Sequence, residues 1–296
     1  MELDLSAMLA ELLAADQNTG FDGGSTESLF DAPSIAVAAA DDLWFRRFKE
    51  IIGPFYWTPQ EALSAGSGDG ESGGPVPQAK ARSVICWTLP ISSAARLANR
   101  REKQFPARPW AYVRTFGEHL NTRLRHGMEL RLRSLGFAAV APAVLSENIV
   151  SERPVVGLSS CWSERHTAFV AGLGTFGLSG GLITRRGIAH RLGSVVTDAE
   201  LPPTARAYGD DPFAWCLGIE QGKCSACISR CPVESIGATT AARNKGACKD
   251  HYDGTIRTQR AEVFGWDGVY GCGLCQTGVP CEDRIPVAPA QRTNPD

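Results

Sequence analysis

The stretch Cys224-Ser-Ala-Cys227-Ile-Ser-Arg-Cys231-Pro232 decides how the second half of this chain is read. The spacing Cys-x2-Cys-x3-Cys-Pro presents thiolates to a cubane iron–sulfur cluster and leaves its last cysteine free to reach a neighbouring cluster. Proline after Cys231 turns the chain away and brings no competing N–H. Working outward, Cys216 precedes the run, and Cys248, Cys272-Gly-Leu-Cys275 and Cys281 follow it. Eight of the ten cysteines therefore lie between residues 216 and 281, the number that two [4Fe-4S] clusters require.

The two-cluster pattern predicts a crossed pairing. Cys216, Cys224, Cys227 and the distant Cys281 form one set. Cys231 crosses over to join Cys248, Cys272 and Cys275. The first set is irregular, because a compact run carries a cysteine three residues before Cys224 and Gln221 stands there. Cys216 is the substitute, with Gly218 to Lys223 folding back as a loop. Two structural zinc sites with four cysteines each are the rival use of the same residues. Cys86 lies in an apolar run and reads as a small buried hydrophobe. Cys161, in Ser159-Ser-Cys-Trp-Ser-Glu-Arg-His166, reads either as structural or as a pocket residue.

At 296 residues the chain suits two domains, and 43% hydrophobic with 21% charged residues is ordinary globular composition. A net charge of -2 gives no general pull on nucleic acid. The start, MELDLSAMLAELLAAD, reads as an amphipathic helix without the basic head of a secretory signal, and no apolar run reaches membrane-spanning length. A cytoplasmic location and no membrane partner are expected. Thiols there stay reduced, which favours ligands over disulfides.

Residues 1–205 are expected to form an α/β domain, interrupted by a Gly/Ser/Pro-rich loop at 66–77. Ser83 to Leu89 reads as a strand stopped by Pro90. Phe116, Leu120, Leu124, Met128 and Leu132 recur on one face of a helix predicted over 111–135. The arginines between them read as a solvated face, with a cofactor-phosphate or RNA contact as the alternative. The Gly-rich segment Ala171-Gly-Leu-Gly-Thr-Phe-Gly177 leads into short strands at Leu182 to Thr184 and Arg191 to Asp198. Its spacing matches GxGxxG, but no helix follows, which argues against a dinucleotide site. Residues 206–285 are expected to form a small bacterial-type 2[4Fe-4S] ferredoxin-like α+β domain, and 286–296 an extended tail.

Taken together, Arg82 to Pro90, Glu164-Arg165, Ala171 to Gly177, Leu182 to Thr184, Gly193 to Asp198 and the cysteine pattern resemble the epoxyqueuosine reductase family. The resemblance covers roughly residues 40 to 285 and extends to a wider superfamily that includes reductive dehalogenases. It implies an N-terminal domain that holds cobalamin, fed electrons singly by the two clusters. No Asp-x-His-x-x-Gly motif is present, so cobalamin would bind base-off. It implies Gly172, Gly174 and Gly177 as a corrinoid-facing loop, where the lack of side chains allows close approach. A low-potential donor such as ferredoxin or flavodoxin would be the electron partner. The family's acidic proton donor falls at Leu158 here, which leaves Glu164 and His166 as the candidate acids. The substrate expected is therefore a small molecule or a tRNA, with reductive demethylation or dehalogenation as alternatives to epoxide reduction. A ferredoxin-like carrier without enzyme activity is the reading outside catalysis.

Overall fold

The computed structural model describes residues 3–15, 18, 28–66, 79–154, 156–257 and 271–286. The loop expected at 66–77 lies almost wholly outside them, and so does the tail from 287. In chain order the first half holds α1 (Leu5–Ala15), β1 (Ser34–Ala39), α2 (Leu43–Ile51), α3 (Pro59–Ala65), β2 (Ser83–Pro90), α4 (Ser93–Arg101) and α5 (Arg108–Ser134). Then come β3 (Ala139–Val140), β4 (Ser151–Arg153), β5 (Gly157–Ser159), α6 (Glu164–Val170), β6 (Gly174–Phe176), β7 (Leu182–Thr184) and β8 (His190–Thr197). The cysteine region adds α7 (Leu217–Gln221), α8 (Ala226–Ser229) and α9 (Lys245–Lys249), the last running into a π-helical stretch at Asp250–Ile256.

Every residue of β2 is buried, so the strand needs cover on both faces. Its alternation supplies two apolar sets. Val84 and Cys86 join Trp44, Phe45, Phe48 and Phe169 from α2 and α6. Ile85, Trp87 and Leu89 join Leu120, Leu124, Met128 and Leu132 from α5, with Leu9 of α1. Full burial of such side chains contributes about 1.5–3 kcal/mol each. Cys86 is 1% exposed, as a small core residue should be.

The sheet order is β1-β2-β8-β3, and every pairing is antiparallel. The domain is thus α+β rather than the expected α/β. Short apolar strands fit either class, and only pairing direction separates them. The cysteine region also differs from expectation: among its described residues there is no strand, only short helices and turns. Helix α5 begins three residues earlier than predicted, with Pro109 in its first turn, where the missing N–H costs nothing.

The cysteine region packs on the sheet domain through shared apolar residues. Leu178, Ile183 and Ile188 cluster with Cys216, Ile236 and Val279. Backbone bonds continue the join: Ile188 N–H donates to the Cys281 carbonyl at 2.8 Å. Arg230 is the strongest staple. Its guanidinium donates to the carbonyls of Glu102 (2.6 Å), Asn99 (3.2 Å), Leu274 (3.2 Å) and Thr277 (2.9 Å).

Candidate functional site

The eight cysteines fall around two cavities. Cys231, Cys248, Cys272 and Cys275 line a large one of about 690 Å³. Cys216, Cys224, Cys227 and Cys281 line a small one of about 30 Å³. Ser179 and Ile188 line both, so the cavities are neighbours. Electrostatic coupling follows the same division. Burial, then the charges of Cys216 and Cys224, push the Cys227 thiol up to about 11. Burial, then Cys227, Cys216 and Cys224, push Cys281 up to about 12. Burial raises Cys272 to about 11, with Cys248 and Cys231 adding to it against a backbone bond from Leu274. Burial, Cys272 and Cys248 raise Cys275, which also feels Cys227 across the divide. Cys231 accepts bonds from Ser235 N–H (3.3 Å) and meets the Ser235 hydroxyl at 3.2 Å.

Among the described residues, no three His, Cys, Asp or Glu converge tightly enough to hold one metal ion. Four thiolates on one zinc each stand at about 2.3 Å from the same point. A cubane distributes its ligands one per iron, so its sulfurs stand further apart.

The large cavity opens where β2 ends and β8 begins, and one wall is a chain of charges. Arg125 of α5 is 5% exposed. Its guanidinium donates to Glu118 at 2.9 Å, Glu164 at 3.0 Å and the Leu192 carbonyl at 2.8 Å. Trp162 Nε1 donates to Ser194 Oγ at 3.0 Å, and Ser194 Oγ donates to Glu164. Arg191 approaches Glu118 at 3.7 Å. Burial raises the Glu164 carboxyl above its ordinary range, against the pull of Arg125 and Ser194. Glu118 is held low, because Arg125 and Arg191 outweigh its desolvation.

The sequence candidates are not all brought together. Glu164 lines the large cavity and His166 does not. The His166 ring lies 4.9 Å from the rings of Phe48 and Phe176 and 6.0 Å from Tyr56, with Nδ1 2.8 Å from Ser163 Oγ. Burial, then Arg165 and Lys245, pull it down to about 3, so it is neutral at pH 7. Leu158 sits in β5 opposite Glu152, and Cys161 places its sulfur 3.8 Å from the Glu147 carbonyl. Neither of them lines a cavity described above.

The glycines face protein. A Cβ on Gly172 would meet the Ala205 carbonyl oxygen at 3.1 Å, and one on Gly174 the Ile183 oxygen at 2.2 Å. Gly177 lines the small cavity beside the first cysteine set. Gly174 thus lies close against the β7 backbone and Gly172 against Ala205. Gln221 is exposed, while Cys216 is buried.

Sequence reasoning missed Arg114, Glu118, Asn121 and Arg125 as a unit. They step by four, three and four residues, one polar stripe beside the apolar stripe of α5. Asn121 is fully buried, taking Trp87 Nε1 at 3.0 Å and donating to the Leu192 carbonyl at 2.8 Å. Reading the polar residues at helical period, as well as the apolar ones, would have exposed the stripe.

No protein-family profile matches the chain, and no curated protein sequence does. Solved structures do align with it. An epoxyqueuosine reductase from Streptococcus thermophilus aligns with a TM-score of 0.46 at 15% identity, covering 97% of this chain and 69% of that one. An epoxyqueuosine reductase with an epoxyqueuosine-modified tRNA-Tyr stem loop aligns at 0.44 and 17% identity, covering 98% and 69%. A catabolic reductive dehalogenase in complex with 3-bromo-4-hydroxybenzoic acid aligns at 0.49 and 11% identity, covering 95% of this chain and 36% of that one.

Proposed function

We propose that this chain is an iron–sulfur oxidoreductase that passes low-potential electrons through two [4Fe-4S] clusters to a substrate in the large cavity. One observation carries the reading: the eight cysteines divide into two quartets, each around its own cavity. Cys216, Cys224, Cys227 and Cys281 would hold one cluster, and Cys231, Cys248, Cys272 and Cys275 the other. The thiol-only donor sets fit such clusters. When bound, the clusters would supply one-electron transfer.

The chain's own residues support a reaction rather than simple carriage. The quartet of Cys231 shares its cavity with Glu164, Arg125 and Glu118, and a free carrier has no use for a chamber lined with charged side chains beside its cluster. Trp110, Ile91 and Leu192 give that chamber apolar walls that displace water. Arg125 and Ser194 fix the Glu164 carboxyl in place, and burial favours its protonated form, so Glu164 is the group placed to give a proton to a reduced substrate. His166 lies outside the chamber and serves the aromatic packing.

A corrinoid is the acceptor that the family resemblance implies. The three glycines do not fit that role, since none lines the large cavity. The substrate class that the resemblance supports is an epoxide in a modified tRNA or a small molecule open to reductive demethylation or dehalogenation. A ferredoxin or flavodoxin is the fitting electron source.

The test is anaerobic purification with iron, sulfide, zinc and cobalt measured per chain. About eight irons with matching sulfide is the expected result, from two four-iron clusters. Stoichiometric zinc with negligible iron would falsify the reading. Cobalamin added to the cobalt-free protein under reducing conditions separates a corrinoid enzyme from one without it.

A further inference from the structure

We propose that Arg165 and Arg243 form a binding site for an oxyanion, and that the ligand of the large cavity carries a carboxylate or a phosphate group. Both side chains line that cavity, as does the Glu118–Arg125–Glu164 chain. They converge on one backbone position. Arg165 Nη1 donates to the Gly180 carbonyl. A Cβ on Gly180, whose φ is +73°, would fall 1.9 Å from an Nη atom of Arg243, so the end of that guanidinium abuts the glycine.

One fact separates this pair from the other wall, and two more describe its electrostatics. Among the described residues, neither guanidinium forms an ion pair with a carboxylate, whereas Arg125 has two such partners. The two charges also bear on each other, Arg243 disfavouring protonation of Arg165. Last, Arg243 Nε is buried without any hydrogen-bond partner. Lys245 adds a third positive charge nearby while donating to the Val156 and Leu158 carbonyls. An anion between them would offset their mutual repulsion and meet the orphaned donor of Arg243. A planar oxyanion fits best, because guanidinium forks match the two oxygens of a carboxylate or phosphate.

The rival use of Arg243 is to offset thiolate charge, since its charge reaches Cys275. The inference rests on the proposed function only in assigning the oxyanion to the reductase's substrate; the site stands on the chain's own residues. Calorimetric titration of benzoate, and separately of inorganic phosphate, tests it on iron-loaded and on metal-free protein. Wild type is compared with Arg165→Gln, Arg243→Gln and Arg243→Lys, and iron is measured in each sample. Saturable binding of at least one probe is expected. Either glutamine variant should weaken it about tenfold or more at unchanged iron, and Arg243→Lys, which keeps charge but not the fork, should weaken it less. Benzoate as the tighter probe identifies a carboxylate ligand, and phosphate as the tighter probe a phosphate ester. Three results overturn the site: neither probe binds wild type, all variants bind equally, or Arg243→Gln loses iron while Arg165→Gln binds as wild type. A wild type without iron instead defeats the electron-transfer reading, and titration of that metal-free sample still decides the oxyanion site.

Discussion

Replacing Arg125 by Met keeps the length of the side chain and removes its charge. Three bonds go with it, to Glu118, Glu164 and the Leu192 carbonyl. The two carboxylates do not suffer equally. The Glu164 side chain is 15% exposed and Glu118 32%, so Glu164 bears most of the penalty. Removing one partner of a buried pair costs about 3–5 kcal/mol. With an unfolding slope of about 3 kcal/mol per molar urea, the midpoint should fall by roughly 1 to 1.5 M at pH 8. The loss should shrink on acidification. Glu164 is already raised in the fold, and without Arg125 it rises further. A carboxyl raised in the folded state contributes stability below its unfolded value, and that contribution is lost as pH climbs through the raised value. The deficit of Arg125→Met should therefore be largest at pH 8 and smaller at pH 5.5. Adding Glu164→Gln should recover more than half of it. Urea unfolding of the anaerobic protein, followed by tryptophan fluorescence, measures all three. A midpoint within 0.3 M of wild type (roughly 1 kcal/mol), or a deficit independent of pH, refutes the charge-chain account.

The irregular ligand gives a second expectation: Cys216→Ser should lose about four of eight irons while Gln221→Ala keeps them all, and iron analysis showing equal retention would reassign the quartet. His166 should show no ring-proton titration between pH 8 and 5, because burial holds it near 3. A histidine depressed in this way makes the fold lose stability as pH drops below about 6.5 toward the folded value, and a titration centred near 6.5 by NMR would contradict its burial. Gly193→Ala should destabilise by about 1–3 kcal/mol, read by thermal unfolding, through overpacking. Its Cβ would come within 2.3 Å of the Trp87 ring, which is fully buried and cannot withdraw.

The division of eight cysteines between two cavities was legible because ligand spacing is local chemistry. Cys224, Cys227 and Cys231 are fixed in order by one turn of chain, and the crossing of Cys231 follows a known two-cluster pattern. The apolar stripe of α5 and the core strand β2 were legible for a similar reason, since period alone identifies a buried face. Pairing direction was not. Nothing in Ser83 to Pro90 tells whether its neighbour runs up or down. The charge chain also hid itself, because Arg125 on a helix surface and Arg125 inside a core are the same letter. Only the fold brings Glu164 of α6 against it. The glycines were legible as positions of close approach, and the fold sets Gly174 against Ile183 and Gly172 against Ala205.

The crossing of Cys231 between the cavities has a consequence for biosynthesis. The quartet around the large cavity closes at Cys275, and the quartet around the small one only at Cys281. The sheet's last strand, ending at Thr197, leaves the ribosome well before either. The nascent chain must therefore carry Cys216, Cys224, Cys227 and Cys231 as open thiols while some fifty further residues are made, about 3–10 seconds at usual elongation rates. During that interval the strand pairs can form, but Ile188 lacks the Cys281 carbonyl on which its N–H rests. Under the proposed reading, iron can complete the quartets only after Cys275 and Cys281 are made, which gives oxidants a brief window to reach the open thiols first.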